Sequence, residues 1–186
     1  MTSTNTAGVA RTGNPGAGRV IGLDSDHDSI PAAEHWLHEL VHRLGHPADL
    51  IACTHLVYEP HPHVAVSLSS LPDGVALPPE AQQHTEGART AAAEHGARGA
   101  GRAVHYPGID LLTGSLTVAE AIERSAIERI VMIGGADAPL DTVLHTLDYV
   151  RPMWKDGKLA LVTRPGPEGS LVPFELQNPT PCCADH

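Results

Sequence analysis

Short apolar runs separated by amphipathic stretches set the pattern of this chain. Residues 20–23 form an apolar run that breaks at Asp24-Ser25-Asp26-His27-Asp28, the signature of a buried strand followed by a polar turn. Ile30, Ala33, Leu37, Leu40, Val41 and Leu44 then recur at helical spacing, with Pro31 suited to the first turn and Gly45 to the stop. Residues 49–57 read as a second strand. The segment 58–79 holds Glu59-Pro60-His61-Pro62-His63 and a brief alternation at Val64, Val66 and Leu68, and its length suggests a lid, insertion or mobile loop. An alanine-faced helix is expected over 80–95.

Downstream, 103–112 reads as a strand broken by Pro107-Gly108 and so placed at the sheet margin. Thr117 and Glu120 have capping-box spacing before a short helix. The near-continuous apolar run 129–135 suggests a central strand covered on both faces. Leu140, Val143, Leu144, Leu147 and Val150 predict a helix stopped at Arg151-Pro152. A fifth strand follows at 158–163, and 170–176 is expected to fold back on it. Strands alternating with helices predict an α/β domain over 19–165: a five-stranded parallel sheet of order 3-2-1-4-5 with helices on both faces, plus a C-terminal hairpin strand within 166–177. Residues 1–18 and 178–186 read as flexible tails. This order sets the end of the first strand beside Gly134-Gly135, where open parallel sheets place their ligands.

Composition narrows the function. A net charge of −10 over 186 residues disfavours nucleic acid and anionic membrane as partners, since those require clustered Lys and Arg. No apolar run approaches the ~18 residues of a membrane span, and no hydrophobic signal core opens the chain, so a cytoplasmic protein is expected. Three cysteines, two of them adjacent, make a disulfide framework an unsuitable reading. Cys53 reads as a buried small hydrophobe. Cys182, Cys183 and His186 fall in an exposed tail with soft-metal or redox potential.

The candidate chemistry is acidic. Asp24, Asp26 and Asp28 follow the first strand, where they either cap the next helix or face a ligand. His38 and His42 stand at i, i+4 on the outer helix face, a spacing that can hold a metal, but no third ligand lies at comparable spacing and the face reads as solvated. His61 and His63 could add to a metal site, yet histidines separated by a proline in a loop are a weak signal, and no metal site is expected from them.

The pieces Val-Ile-Gly-Leu-Asp24-Ser25, Leu-Leu-Thr-Gly114-Ser-Leu-Thr, Ile-Val-Met-Ile-Gly134-Gly135 and Leu-Ala-Leu-Val-Thr-Arg-Pro165 together resemble the universal stress protein family. The resemblance implies a nucleotide-binding-type sheet, a stress-response role, dimerisation and, in part of the family, ATP or AMP held between the first-strand aspartate and a glycine-rich loop after strand four. In that loop this chain has Asp137, Pro139 and Asp141, which removes an amide and adds charge where phosphate would sit. The nearer comparison is therefore the subset lacking the phosphate loop. The expectation is a non-catalytic regulatory or interaction protein without a cofactor, with a vestigial crevice of Asp24, Ser25, Gly114, Gly134, Gly135 and Asp137. It is expected to form a homodimer through the fifth-strand edge and the 170–176 strand, and to act on a further protein partner that the sequence does not name.

Asp24-x-Asp26 also resembles the first motif of the haloacid dehalogenase superfamily. That resemblance implies a Mg²⁺-dependent phosphohydrolase with Asp24 as nucleophile and Asp26 as acid and base. Asp24, Asp26, Asp137 and Asp141 would then surround the metal and Thr54 would contact phosphate.

Overall fold

A computed structural model describes residues 19–71, 74–79 and 81–177; the tails, with Cys182, Cys183 and His186, lie outside them, as does Glu80, the first residue of the helix expected over 80–95. The first half runs β1 (Ile21–His27), α1 (Ile30–Arg43), β2 (Ile51–Val57), β3 (His63–Ser69), α2 (Glu86–Gly96) and β4 (Arg102–His105). The second half runs β5 (Ser115–Thr117), α3 (Val118–Arg124), β6 (Arg129–Met132), β7 (Val143–His145), β8 (Met153–Lys155), β9 (Lys158–Pro165) and β10 (Leu171–Pro173). All ten strands join one mixed sheet of order β1-β3-β2-β4-β8-β9-β10-β7-β5, with β6 beside β9. Among the described residues only β6 with β9 and β7 with β10 are parallel pairs.

The expected five-stranded parallel sheet of order 3-2-1-4-5 is therefore incorrect, and β3 is the principal reason. Its alternation of Val64, Val66 and Leu68 is a strand period rather than loop texture. The short turn 58–62 returns the chain beside β2, so β3 pairs with β2 along its whole length, from Ile51↔Ser69 to Val57↔His63. β3 also pairs antiparallel with β1, and so separates the two strands that a parallel sheet would have made neighbours. Every residue of β3 is buried.

Alternation along these strands divides two cores. Val64, Val66 and Leu68 of β3, with Leu23 of β1, pack against Ala33, Leu37, Leu40 and Val41 of α1. Full burial of each leucine stabilises by roughly 2 kcal/mol. The other face, carrying Gly22, Ala65 and Ser67, is covered by α2. Gly22 is required there, because a Cβ would stand 1.7 Å from the Ala88 carbonyl oxygen.

The stretch 103–112, expected as a strand at the sheet margin, is β4 over Arg102–His105 only and lies between β2 and β8, while 129–135, expected as a central strand, is β6, which lies off the main strand path beside β9. Two further departures follow in the second half. β6 stops at Met132, since Gly134 and Gly135 turn at positive φ of 99° and 94° and bring Asp137 back beside Val131. The helix expected after Pro139 is replaced by β7 and irregular chain. Leu140 and Leu147 are 61 % and 53 % exposed, so the apparent helical stripe has no surface to bury against, while Leu144 enters the core as a strand residue. The capping box forms as read, with Glu120 N–H donating to Thr117 Oγ1 and Thr117 N–H to Glu120 Oε2. The strand 171–173 does fold back antiparallel on β9. No helix among the described residues is long and apolar enough to cross a membrane.

Candidate metal centre at the β1 bulge

Between the pairs Leu23↔Val66 and His27↔Val64, β1 carries three residues against a single residue of β3. Such a bulge turns side chains off the regular pleat and is common beside functional sites. Asp24 leaves the β3 ladder and pairs its backbone with Gln82, by N–H to carbonyl bonds of 2.9 and 3.2 Å. Asp26 adopts the left-handed region at φ 55°. Both carboxylates are thereby directed toward the α2 amino end and the turn between β2 and β3.

Asp24 is 7 % exposed and well supplied with donors. Its Oδ1 accepts the Asp26 N–H at 3.0 Å; its Oδ2 accepts the Thr85 hydroxyl at 2.8 Å and faces His63 Nε2 at 3.2 Å. Thr85 is the N-cap of α2 and also accepts the Ala88 N–H, so the helix dipole adds to these bonds. Burial alone raises the pKa of Asp24, but the Asp26 amide, Thr85 and His63 outweigh it and hold the carboxyl below its ordinary value of 3.8.

His63 opens β3. Burial opposes its charged form, yet the bond to the His61 carbonyl and the nearby Asp24 raise its pKa above 6.5. Its Nδ1–H donates to that carbonyl at 2.8 Å, which fixes the ring and leaves Nε2 directed at Asp24. A histidine held through one nitrogen by a carbonyl, with the other nitrogen presented inward, is the usual setting of a metal-ligating imidazole. His61 Nε2 lies 2.7 Å from Asp26 Oδ1, and both side chains are exposed.

Asp26, His61 and His63 each bring a ligand atom within 4.8 Å of the others, the one such group of three among the described residues. They border a cleft of about 690 Å³ whose walls are Glu59 and Pro60 from the turn, Gln82 and Thr85 before α2, and Glu86 and Gly87 in its first turn. Two imidazoles and a carboxylate suit Zn²⁺ or a related divalent transition metal, and three protein ligands leave a position open to water or substrate.

The sequence-predicted crevice does not assemble. β3, β2, β4, β8 and β9 lie between β1 and β6, so Asp24 and Ser25 sit far along the sheet from Gly134, Gly135 and Asp137. Asp137 instead pairs with Arg129. Gly114 precedes the edge strand β5 and donates its N–H to Asp148, while Asp141 lines a separate hollow with His145 and Glu168. Thr54 is buried, with its hydroxyl directed at the Arg102 carbonyl. The four-aspartate arrangement around Mg²⁺ therefore has no common centre. Cys53 is buried as read, and desolvation pushes its thiol up to about 12, well out of the nucleophilic range. His38 and His42 line a shallow hollow along α1 without forming a three-ligand group.

A second polar chain lies on the α2 side: Glu94 Oε2 accepts from His55 Nδ1, and Ser67 Oγ is 2.7 Å from both His55 Nε2 and His95 Nδ1. Its order matches that of a hydrolase triad. Ser67 has no exposed surface, however, so no substrate reaches its hydroxyl, and the chain ties α2 to the sheet instead. The sequence contained every one of these residues, but only the β2–β3 pairing shows which meet.

No protein family, curated protein or solved structure matches this chain.

Proposed function

We propose that this protein binds a divalent transition metal, with Zn²⁺ the best fit, through Asp26, His61 and His63 and uses it to hydrolyse a small substrate held in the adjoining cleft. The observation that carries the reading is the convergence of these three ligand atoms within 4.8 Å at the mouth of a cleft, with the inner imidazole oriented by a backbone carbonyl. A structural zinc site closes its shell with four protein ligands, whereas three ligands beside open space favour a bound water. A bound metal would lower the pKa of its water to about 7 and so supply a hydroxide near neutral pH, with one proton released to solvent. Hydrolysis would then bond that oxygen to the electrophilic centre and break the scissile bond, the second proton of the water ending on the leaving atom.

The protein contributes orientation. Asp24, fixed by the Thr85 hydroxyl, accepts the Asp26 amide and so positions the Asp26 carboxylate, while the His61 carbonyl holds the His63 ring through Nδ1 and leaves Nε2 for the metal. A non-catalytic regulatory role of the universal-stress-protein kind has less to act through, because its crevice required β1 and the strand ending at Gly134 to be neighbours.

Calorimetric titration of the metal-free protein with Zn²⁺, and the visible spectrum after Co²⁺ loading, test the reading. One ion per chain is expected, with low-coordinate Co²⁺ bands, and both signals should be lost in His61→Ala/His63→Ala. Stoichiometric uptake that survives the double substitution, or no uptake by the parent protein, would refute the site.

A further inference from the structure

The walls of the cleft carry a charge pattern that restricts what the metal can be offered. Asp24, Asp26, Glu59 and Glu86 contribute four carboxylates, and among the described residues no Lys or Arg lines the space. A divalent ion offsets two of those charges, and Arg89, outside the lining, pairs with Glu86. Helix amino ends are the ordinary seat for a phosphate. Here that seat is filled from within: Asp24 Oδ2 accepts the N-cap hydroxyl of Thr85 and lies so near Gly87 that a Cβ there would stand 2.4 Å away.

The carboxylates are not equivalent. Asp24 faces His63, Asp26 faces His61, and Glu86 is paired with Arg89 at 3.3 Å. Glu59 is exposed, stands two residues before His61 in the same turn, and has no hydrogen-bond or ion-pair partner among the described residues. A free carboxylate on the wall of the cleft that the three ligands border attracts a cation and repels an anion.

We infer that the cleft takes an acyl substrate bearing a protonated amine, with the ammonium seated on Glu59 and the carbonyl presented to the metal, and that it turns away phosphate esters. This rests on the metal-centred reading above and names the substrate class for the same site. The other three carboxylates are already paired, so the discrimination falls to Glu59, and a preference of about fivefold over a neutral analogue is expected for one solvent-exposed contact at ~4 Å.

The test uses full-length Zn²⁺-loaded protein and three hydroxamates that differ in the charge of their tail: acetohydroxamate, 4-aminobutyrohydroxamate and succinate monohydroxamate. Calorimetry should rank the amine-bearing probe about fivefold tighter than the neutral one and the carboxylate-bearing probe weakest. Inorganic phosphate should give no heat. Glu59→Gln should still take up zinc and should bind the amine-bearing and neutral probes alike. Equal or reversed ranking on zinc-loaded protein, a preference unchanged in Glu59→Gln, or saturable phosphate binding overturns the substrate class while leaving the metal site standing. Failure of the protein to take up zinc overturns both.

Discussion

His63 Nε2 stands 3.2 Å from Asp24 Oδ2, although 39 positions separate the two residues in the chain. That contact exists because β3 returns beside β1 and because the bulge in β1 turns Asp24 toward α2. The candidate metal centre therefore depends on strand pairing, and disturbing its supports should weaken it as surely as removing a ligand.

Thr85→Val removes the hydroxyl that anchors Asp24 and also caps α2. Loss of an outer hydrogen bond that orients a ligand lowers metal affinity by about 10- to 100-fold. Zinc competition against a chromophoric chelator should show a drop in that range for Thr85→Val and a larger one for His63→Ala. Thr85→Ser, which keeps the hydroxyl, should stay near the parent value.

Gly87→Ala would place a methyl 2.4 Å from Asp24 Oδ2 and 2.7 Å from His63 Nε2. Helix propensity favours alanine by up to about 1 kcal/mol, but overpacking of fixed groups costs about 1–3 kcal/mol and prevails. Urea denaturation should show a net loss of stability, accompanied by weaker zinc uptake. A variant more stable than the parent would contradict this placement of α2.

Ser67→Ala deletes the hydroxyl shared by His55 and His95 in the interior. Two buried ring nitrogens then lose a partner, at a cost of about 1–3 kcal/mol. Chemical denaturation should report that loss while zinc affinity remains at the parent level, which separates this buried chain from the metal centre.

Stability should fall on acidification through His95. Burial first, then the nearby His55 and Arg98, lower its pKa from 6.5 to about 4. The unfolded state therefore binds the extra proton first: the contribution is complete above pH 6.5 and is lost as pH falls toward about 4. A shift of this size corresponds to roughly 3 kcal/mol. Denaturation measured across that window should show a slope approaching one proton, and His95→Phe should flatten it. An unchanged slope would mean that other groups govern the acid limb.

Much of the local structure was legible in the sequence. The α1 stripe, the Thr117–Glu120 cap, β2 and the return of β10 on β9 follow from periodicity and end signals that act within a few residues. The 140–150 stripe failed because spacing alone says nothing about whether a partner surface exists for Leu140 and Leu147. Likewise 63–69 alternates like a strand, yet its length of flanking polar chain favoured a loop reading. The acidic run after β1 and the His61-Pro62-His63 pair were both visible as potential ligands, but on separate segments with no indication that they meet.

By itself the sequence determined which stretches could be strands or helices and which side chains carry acidic or imidazole chemistry, because those are properties of residues and their near neighbours. Tertiary structure alone decided that β3 lies between β1 and β2 and that Asp26 meets His61 and His63. The physical reason is that strand pairing is satisfied by backbone hydrogen bonds common to every residue, so the choice among possible neighbours rests on the simultaneous burial of both faces, which no single segment encodes.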